Sequence, residues 1–231
     1  MILKGQIAPF PCKTLCIGDS QTLAYTYGIK PTEYWPYQLK SQGVTSGYSI
    51  LDINSGNAGW TTTQLLGITQ AQLTRFRPKV LVIYCGVNDP GNGISSGTTK
   101  SNIQSMVALS YAAGVEYTMI VNTNYLNYTS GGDNAGANTY YQTYVDLRVA
   151  QSAAADYCVA TYGASAVCYA DLFTYQKNLV LTGVWTQGSW ATSHIADSNQ
   201  HMNANGQYYT GSFILSTLIA NYPNIGNYKI S

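Results

Sequence analysis

Ser20 ends the run "LCIGDS" (15–20), in which a short apolar segment passes through a glycine and an aspartate onto a small hydroxyl. Gly, Asp and Ser all favour turns, so the tripeptide fits an ordinary strand-ending loop. It equally fits a strand that presents Ser20 as a nucleophile. A serine hydroxyl attacks a carbonyl only when a base takes its proton and donors stabilise the oxyanion formed. Two histidines are available as base, His194 and His201, with Asp197 between them. His201 lies in "DSNQHMNANGQYY", just before a predicted final helix, where it can swing over a sheet edge. Asp197, four residues earlier, can accept from one ring nitrogen and leave the other facing Ser20. His194 competes for the same role. For oxyanion donors, "NSGNAGWTT" (54–62) offers the unshielded backbone N–H of Gly59, and "CGVNDPG" (85–91) offers the side-chain amide of Asn88.

Short strand-like runs alternate with helical patterns and must position these residues. "TLCIG" (14–18), "SILDIN" (49–54), "VLVIYCG" (80–86), "YTMIVN" (117–122) and "SAVCYAD" (165–171) are brief, β-rich and largely unalternated. Such strands are buried on both faces, as in a parallel sheet covered by helices. Helices are predicted over 34–42, 61–76, 99–113, 137–155 and 204–220. Within 99–113, Ile103, Met106, Val107 and Tyr111 recur at helical spacing. The expected fold is a three-layer α/β/α sandwich around a central, mostly parallel five-stranded sheet, with residues 1–231 forming one domain. Two polar, aromatic stretches, 122–134 and 179–200, follow predicted strands and are expected to overhang the carboxyl edge of the sheet, where ligands bind in open α/β folds.

Four polar blocks thus occur in order: G-D-S, N-x-G-x-x-G-x-T, G-x-N-D, and a late H-x-N-x-x-G. In this order they resemble the SGNH hydrolase superfamily, the GDSL-type esterases and lipases, over Leu15 to about Tyr209. The resemblance implies an SGNH/flavodoxin-like fold. It implies Ser20 as nucleophile and, through its backbone N–H, as one oxyanion donor, with Gly59 and Asn88 supplying the others. It assigns the base to His201 and leaves His194 outside the pattern, and "EYWPYQL" (33–39) is similar to the family's stretch between its first two blocks. One departure stands out. The family's acidic residue usually lies three positions before the histidine, where this chain has Ser198. Asp197 is the expected third member of the triad, with Ser198, a backbone carbonyl or Asp171 as substitutes. Asp19 and Asp89 read as loop-stabilising hydrogen bonders. The implied activity is hydrolysis of carboxylic esters through an acyl-serine, with no metal and no organic cofactor.

Composition narrows the substrate. Charged residues are 9% of the 231-residue chain, against about 25% in a typical soluble domain. With a formal net charge of +1 there is no electrostatic case for nucleic acid or an anionic membrane. No apolar run approaches the roughly 18 residues of a membrane span. The 21 tyrosines against 4 phenylalanines suit wet surfaces that must still grip a ligand. Tyr125, Tyr128, Trp185 and Trp190 lie in the two overhanging stretches and are expected to bind substrate. The expected reaction is therefore removal of O-acetyl groups from a carbohydrate. Alternatives are a lipase or thioesterase of the same superfamily, or a glycan-binding or virion tail module with a vestigial site. No signal peptide is visible in this numbering, and an extracellular or virion-associated setting is expected over a cytoplasmic one. Cys12, Cys16, Cys85, Cys158 and Cys168 lack C-x-x-C spacing and so do not suggest zinc. Cys16 and Cys85 read as buried hydrophobes, and Cys158 and Cys168 as a pair that an oxidising compartment could bridge.

Overall fold

A computed structural model describes residues 10–23, 29–125, 141–185 and 201–230. Five strands, β1 (Cys12–Gly18), β2 (Ile50–Gly56), β3 (Val80–Tyr84), β4 (Tyr117–Val121) and β5 (Val167–Ala170), form one sheet in the order β2-β1-β3-β4-β5. Every neighbouring pair is parallel. The helices are α1 (Ser20–Leu23), α2 (Trp35–Thr45), α3 (Thr62–Phe76), α4 (Ser96–Ala112), α5 (Tyr141–Tyr162), α6 (Leu172–Leu181) and α7 (Ala204–Asn221).

Strand alternation divides the core into two layers. Cys16, Val82, Tyr84, Met119 and Ala170 face one side and pack against Trp35 and Leu39 of α2, Leu172 of α6, and Ile214 and Leu218 of α7. Leu15, Ile17, Leu81, Ile83 and Ile120 face the other and pack against Leu65 and Leu73 of α3, Ile103 and Met106 of α4, and Ala154 and Cys158 of α5. The five residues of β3 and the five of β4 are all buried, which is why their sequences run apolar without alternation. Among the described residues, no helix is long and apolar enough to cross a membrane.

Helix starts follow local chemistry. Thr61 and Gln64 form a reciprocal capping box at the start of α3. Ser95 caps α4 by accepting from the Thr98 N–H at 3.1 Å, and Asn203 caps α7 by accepting from the Gly206 N–H at 3.0 Å. Helix α6 is not among the predicted helices and overlaps the 179–200 stretch only at residues 179–181. Asp171 accepts from the Thr174 N–H at 3.1 Å and starts this ten-residue helix. The cap is a readable signal, as is the helical spacing of Leu172, Tyr175, Leu179 and Val180, which pack into the layer with α2 and α7.

The cysteine pair also departs from expectation. All five cysteines are free and buried. Cys158 packs in the α3–α5 layer and Cys168 in the α2–α7 layer, on opposite faces of the sheet. The sheet itself stands between them, so they do not pair.

Candidate active site

A 2-1-3-4-5 strand order places the topological switch point between β1 and β3, and ligands of such sheets bind outside the carboxyl ends of the strands there. Ser20 follows β1 and Asn88 follows β3, so both flank that point. Gly18 ends β1 in a space that admits no side chain: a Cβ there would lie 2.1 Å from Thr22 Oγ1 and 2.2 Å from the Tyr84 carbonyl oxygen. The close approach lets the chain turn at once into α1, whose first residue is Ser20. The N–H groups of a first helical turn have no partner within the helix.

Ser20 Oγ lies 3.0 Å from His201 Nε2, although 181 residues separate them. Ser20 is 6% exposed. His201 reaches it because the chain on its carboxyl side is fixed at several points. Met202 is fully buried, and its sulfur accepts from Gln176 Nε2 at 3.2 Å and from Thr210 Oγ1 at 3.0 Å. Gln207 Oε1 accepts from the Trp35 N–H at 2.9 Å and ties α7 to α2. At Gly211 the two helices approach so closely that a Cβ would lie 2.6 Å from Gln38 Cβ.

The second block wraps over the end of β1. The Asn57 N–H donates to the Gly18 carbonyl at 2.9 Å, and Asn54 Nδ2 donates to the Thr22 carbonyl at 3.0 Å. Gly59 has φ +76°, a left-handed backbone that a side chain would strain, and it is exposed. Its N–H has no backbone hydrogen-bond partner among the described residues. In the third block, Asn88 Nδ2 donates one hydrogen to the Trp60 carbonyl at 3.0 Å. A carboxamide nitrogen carries two hydrogens, so the half-buried Asn88 retains a second donor.

Two buried carboxyls hold these loops. Asp89 accepts from the Thr62 N–H at 2.8 Å, and from Thr62 Oγ1 and Thr99 Oγ1 at 2.5 Å each. It therefore fastens the third block to the starts of α3 and α4. Asp19, 1% exposed, accepts from the Gln21 N–H at 3.0 Å through Oδ1. The Gly86 and Val87 N–H groups also face this carboxyl. They lie outside full hydrogen-bond geometry, and Oδ2 is buried without a close partner. Burial pushes the Asp19 carboxyl up to about 7, with the Gln21 and Gly86 N–H groups opposing the rise.

The structure thus brings Ser20 and His201 into contact and sets the Gly59 and Asn88 loops at the same sheet edge. Asp197, His194, Ser198, Tyr128 and Trp190 lie outside the described residues. Asp171 is engaged elsewhere, capping α6 and accepting from Asn122 Nδ2 at 2.8 Å. Tyr125 and Trp185 correct the expectation of exposed, substrate-gripping rings. They are 3% and 2% exposed, and both belong to the core layer with α7. Tyr125 packs on Phe173, and Trp185 meets Tyr209 edge-on. Their apolar faces gain more from that packing than from water. Sequence reasoning missed Gln176, Thr210, Thr62 and Thr99, whose partners are remote along the chain and have no spacing signature.

A family model described as GDSL-like Lipase/Acylhydrolase matches residues 16–208. The chain belongs to this family. Among curated proteins, a match to this GDSL-family chain is Esterase TesA of Pseudomonas aeruginosa, 26% identical over 106 residues. That alignment takes in 46% of this chain and spans about half of the esterase, 52% of its length. Solved structures also superpose on the chain. A lipolytic protein of the G-D-S-L family from Veillonella parvula superposes with a TM-score of 0.67 at 16% identity, covering 90% of this chain and 98% of its own. The family 3 carbohydrate esterase of Clostridium thermocellum also gives 0.67, at 14% identity, with 91% and 96% covered.

Proposed function

We propose that this GDSL-family protein hydrolyses carboxylic esters through an acyl-serine and that its substrate is an O-acetylated carbohydrate. The contact between Ser20 Oγ and His201 Nε2 at 3.0 Å carries the reading. Such a pair at a sheet's ligand-binding edge meets the geometric requirement for an activated nucleophile.

The steps follow from the atoms present. Neutral His201 accepts the Ser20 proton at Nε2 as Oγ bonds to the ester carbonyl carbon. The carbonyl π electrons move onto oxygen, and the N–H groups of Ser20 and Gly59 and the second Asn88 amide hydrogen stabilise that charge. As the C=O bond re-forms, the C–O bond to the alcohol breaks and His201 gives the leaving oxygen its proton. Water then attacks the acyl-serine with His201 again as base, releasing the acid and restoring Ser20. Asp197 is proposed to orient the His201 ring.

The acetyl-carbohydrate assignment rests on composition: few charges, many tyrosines and a polar setting for the nucleophile. Ser20→Ala is expected to abolish release of p-nitrophenol from its acetate ester without change in fold, and a loss of only a few-fold removes Ser20 from the mechanism. Asn88→Ala is expected to lower turnover by roughly 10²–10³. Acetate release from acetylated glycans tests the substrate class. Rapid turnover of long acyl esters with no acetate released from glycans overturns it.

A further inference from the structure

Asp19 is the buried titratable group nearest the nucleophile in sequence, and the proposed chemistry gives it no role. Its surroundings cross the switch point between β1 and β3. One full hydrogen bond, from the Gln21 N–H, holds it to the nucleophile's own turn. The Gly86 and Val87 N–H groups, at the root of the loop that bears Asn88, are turned toward it from β3. That loop is closed by the Asp89 N–H donating to the Gly86 carbonyl at 3.1 Å, so a shift at Gly86 is passed directly to Asn88 and Asp89.

We propose that Asp19 is a positioning residue for ester hydrolysis: its ionised carboxylate draws the Gly86 and Val87 N–H groups inward and so fixes the Asn88 amide relative to Ser20. The proposal rests on the hydrolase reading above. An ionised carboxylate that is almost fully buried needs several donors, and charge-assisted bonds to backbone N–H groups are about twice as strong as neutral ones. The Asp19 carboxylate has one full bond and two donors within reach. Protonated, it loses most of its pull on those two donors and the turn relaxes. Among the described residues, the titratable groups that face Asp19 are Tyr84 and Cys85 of β3 and its loop, and Asp89 beyond them. None of these carries positive charge, so backbone dipoles must supply the stabilisation. Burial and Asp89 keep the carboxyl near 7, close enough to neutrality for both states to be populated.

The test uses Asp19→Asn, which keeps the side chain's size and removes its charge. On p-nitrophenyl acetate, kcat is expected to fall about 10- to 100-fold with KM changed less than about threefold. In an Asn88→Ala background, Asp19→Asn is expected to cost less than about threefold more, since both changes disable one donor. A fully additive loss or a kcat within about threefold of wild type overturns the proposal. A readout independent of turnover is the amide chemical shift of Gly86 and Val87 in the inactive Ser20→Ala protein. Those shifts are expected to titrate together near neutral pH and to be flat in Ser20→Ala/Asp19→Asn. If they stay flat in Ser20→Ala, the positioning role fails; if Ser20→Ala still hydrolyses ester, it is the hydrolase reading that fails.

Discussion

Gln176 Nε2 donates to the Met202 sulfur at 3.2 Å, so a side chain of α6 grips the residue next to His201. The same amide accepts from the Tyr125 N–H at 2.8 Å and reaches Thr210 Oγ1 at 3.3 Å. One buried carboxamide therefore joins the chain after β4, the helix α7 and the residue next to His201. Gln176→Leu keeps the bulk and removes the acceptor that Gln176 gives the Tyr125 N–H. Each buried donor left unpaired costs about 1–3 kcal/mol. Urea unfolding is expected to register a loss in that range. Fluorophosphonate labelling of Ser20, normalised to folded protein, is expected to slow at least tenfold because His201 loses its support. Unchanged labelling would show that Met202 is held well enough by its apolar packing.

Asp89 presents a harsher case. Thr62 and Thr99 both donate to it, and Asn102 Nδ2 donates in turn to Thr62 Oγ1 at 2.9 Å. Asp89→Ala removes the acceptor of the Thr62 N–H and of the Thr62 hydroxyl, and leaves the Thr99 hydroxyl only the longer bond to the Ser95 carbonyl at 3.3 Å. Bonds to a charged acceptor contribute about 1.5–3 kcal/mol each, so a loss of about 3 kcal/mol or more is expected. Thr99→Val removes one donor and is expected to cost less than half as much. Equilibrium denaturation of the two variants checks the ranking, and an Asp89→Ala loss below about 1 kcal/mol refutes it.

Much of this frame is legible in the chain itself. The runs at 80–86 and 117–122 are apolar throughout because β3 and β4 are interior strands, and a strand covered by helices on both faces has no solvent side on which to place polar residues. Ser20 and His201 stand out in the sequence as residue types suited to nucleophile and base, and the fold brings the two side chains to 3.0 Å. The aromatic residues mislead. A tyrosine or tryptophan in a polar stretch looks the same whether it grips a ligand or anchors the chain, and burial of Tyr125 and Trp185 depends on α6 and α7, far along the sequence. Gln176 is invisible for a related reason: nothing local distinguishes a glutamine that bridges three elements from one in water.

The thiols yield a direct check on the two-layer core. Burial pushes Cys158 and Cys168 up to about 11 each and Cys12 up to about 12. Thiolates are the reactive species, so the native protein is expected to be inert to a thiol reagent at pH 8. In denaturant without reductant, all five cysteines are expected to react. Three equivalents instead of five would mean that two cysteines had paired and that the sheet does not separate Cys158 from Cys168.

Asp19 is expected to link activity to stability with opposite signs. Burial moves its carboxyl from 3.8 to about 7 on folding, so the folded state favours the protonated form. The stabilisation this brings is whole below the unfolded value and is lost as pH rises through the folded one. Between about pH 4 and pH 8 the wild type is expected to lose on the order of a few kcal/mol, relative to a variant with no charge to bury, through this group alone. Asp19→Asn is such a variant, and its stability relative to wild type is expected to improve steadily across that window. Urea midpoints of both proteins at pH 5 and pH 8 measure the difference of differences, which cancels every other titrating group. A gap that stays constant would mean that Asp19 ionises as readily folded as unfolded. A gap that widens in favour of Asp19→Asn, alongside its lower turnover, would mean that the protein accepts a less stable fold at neutral pH to keep a charge beneath its oxyanion loop.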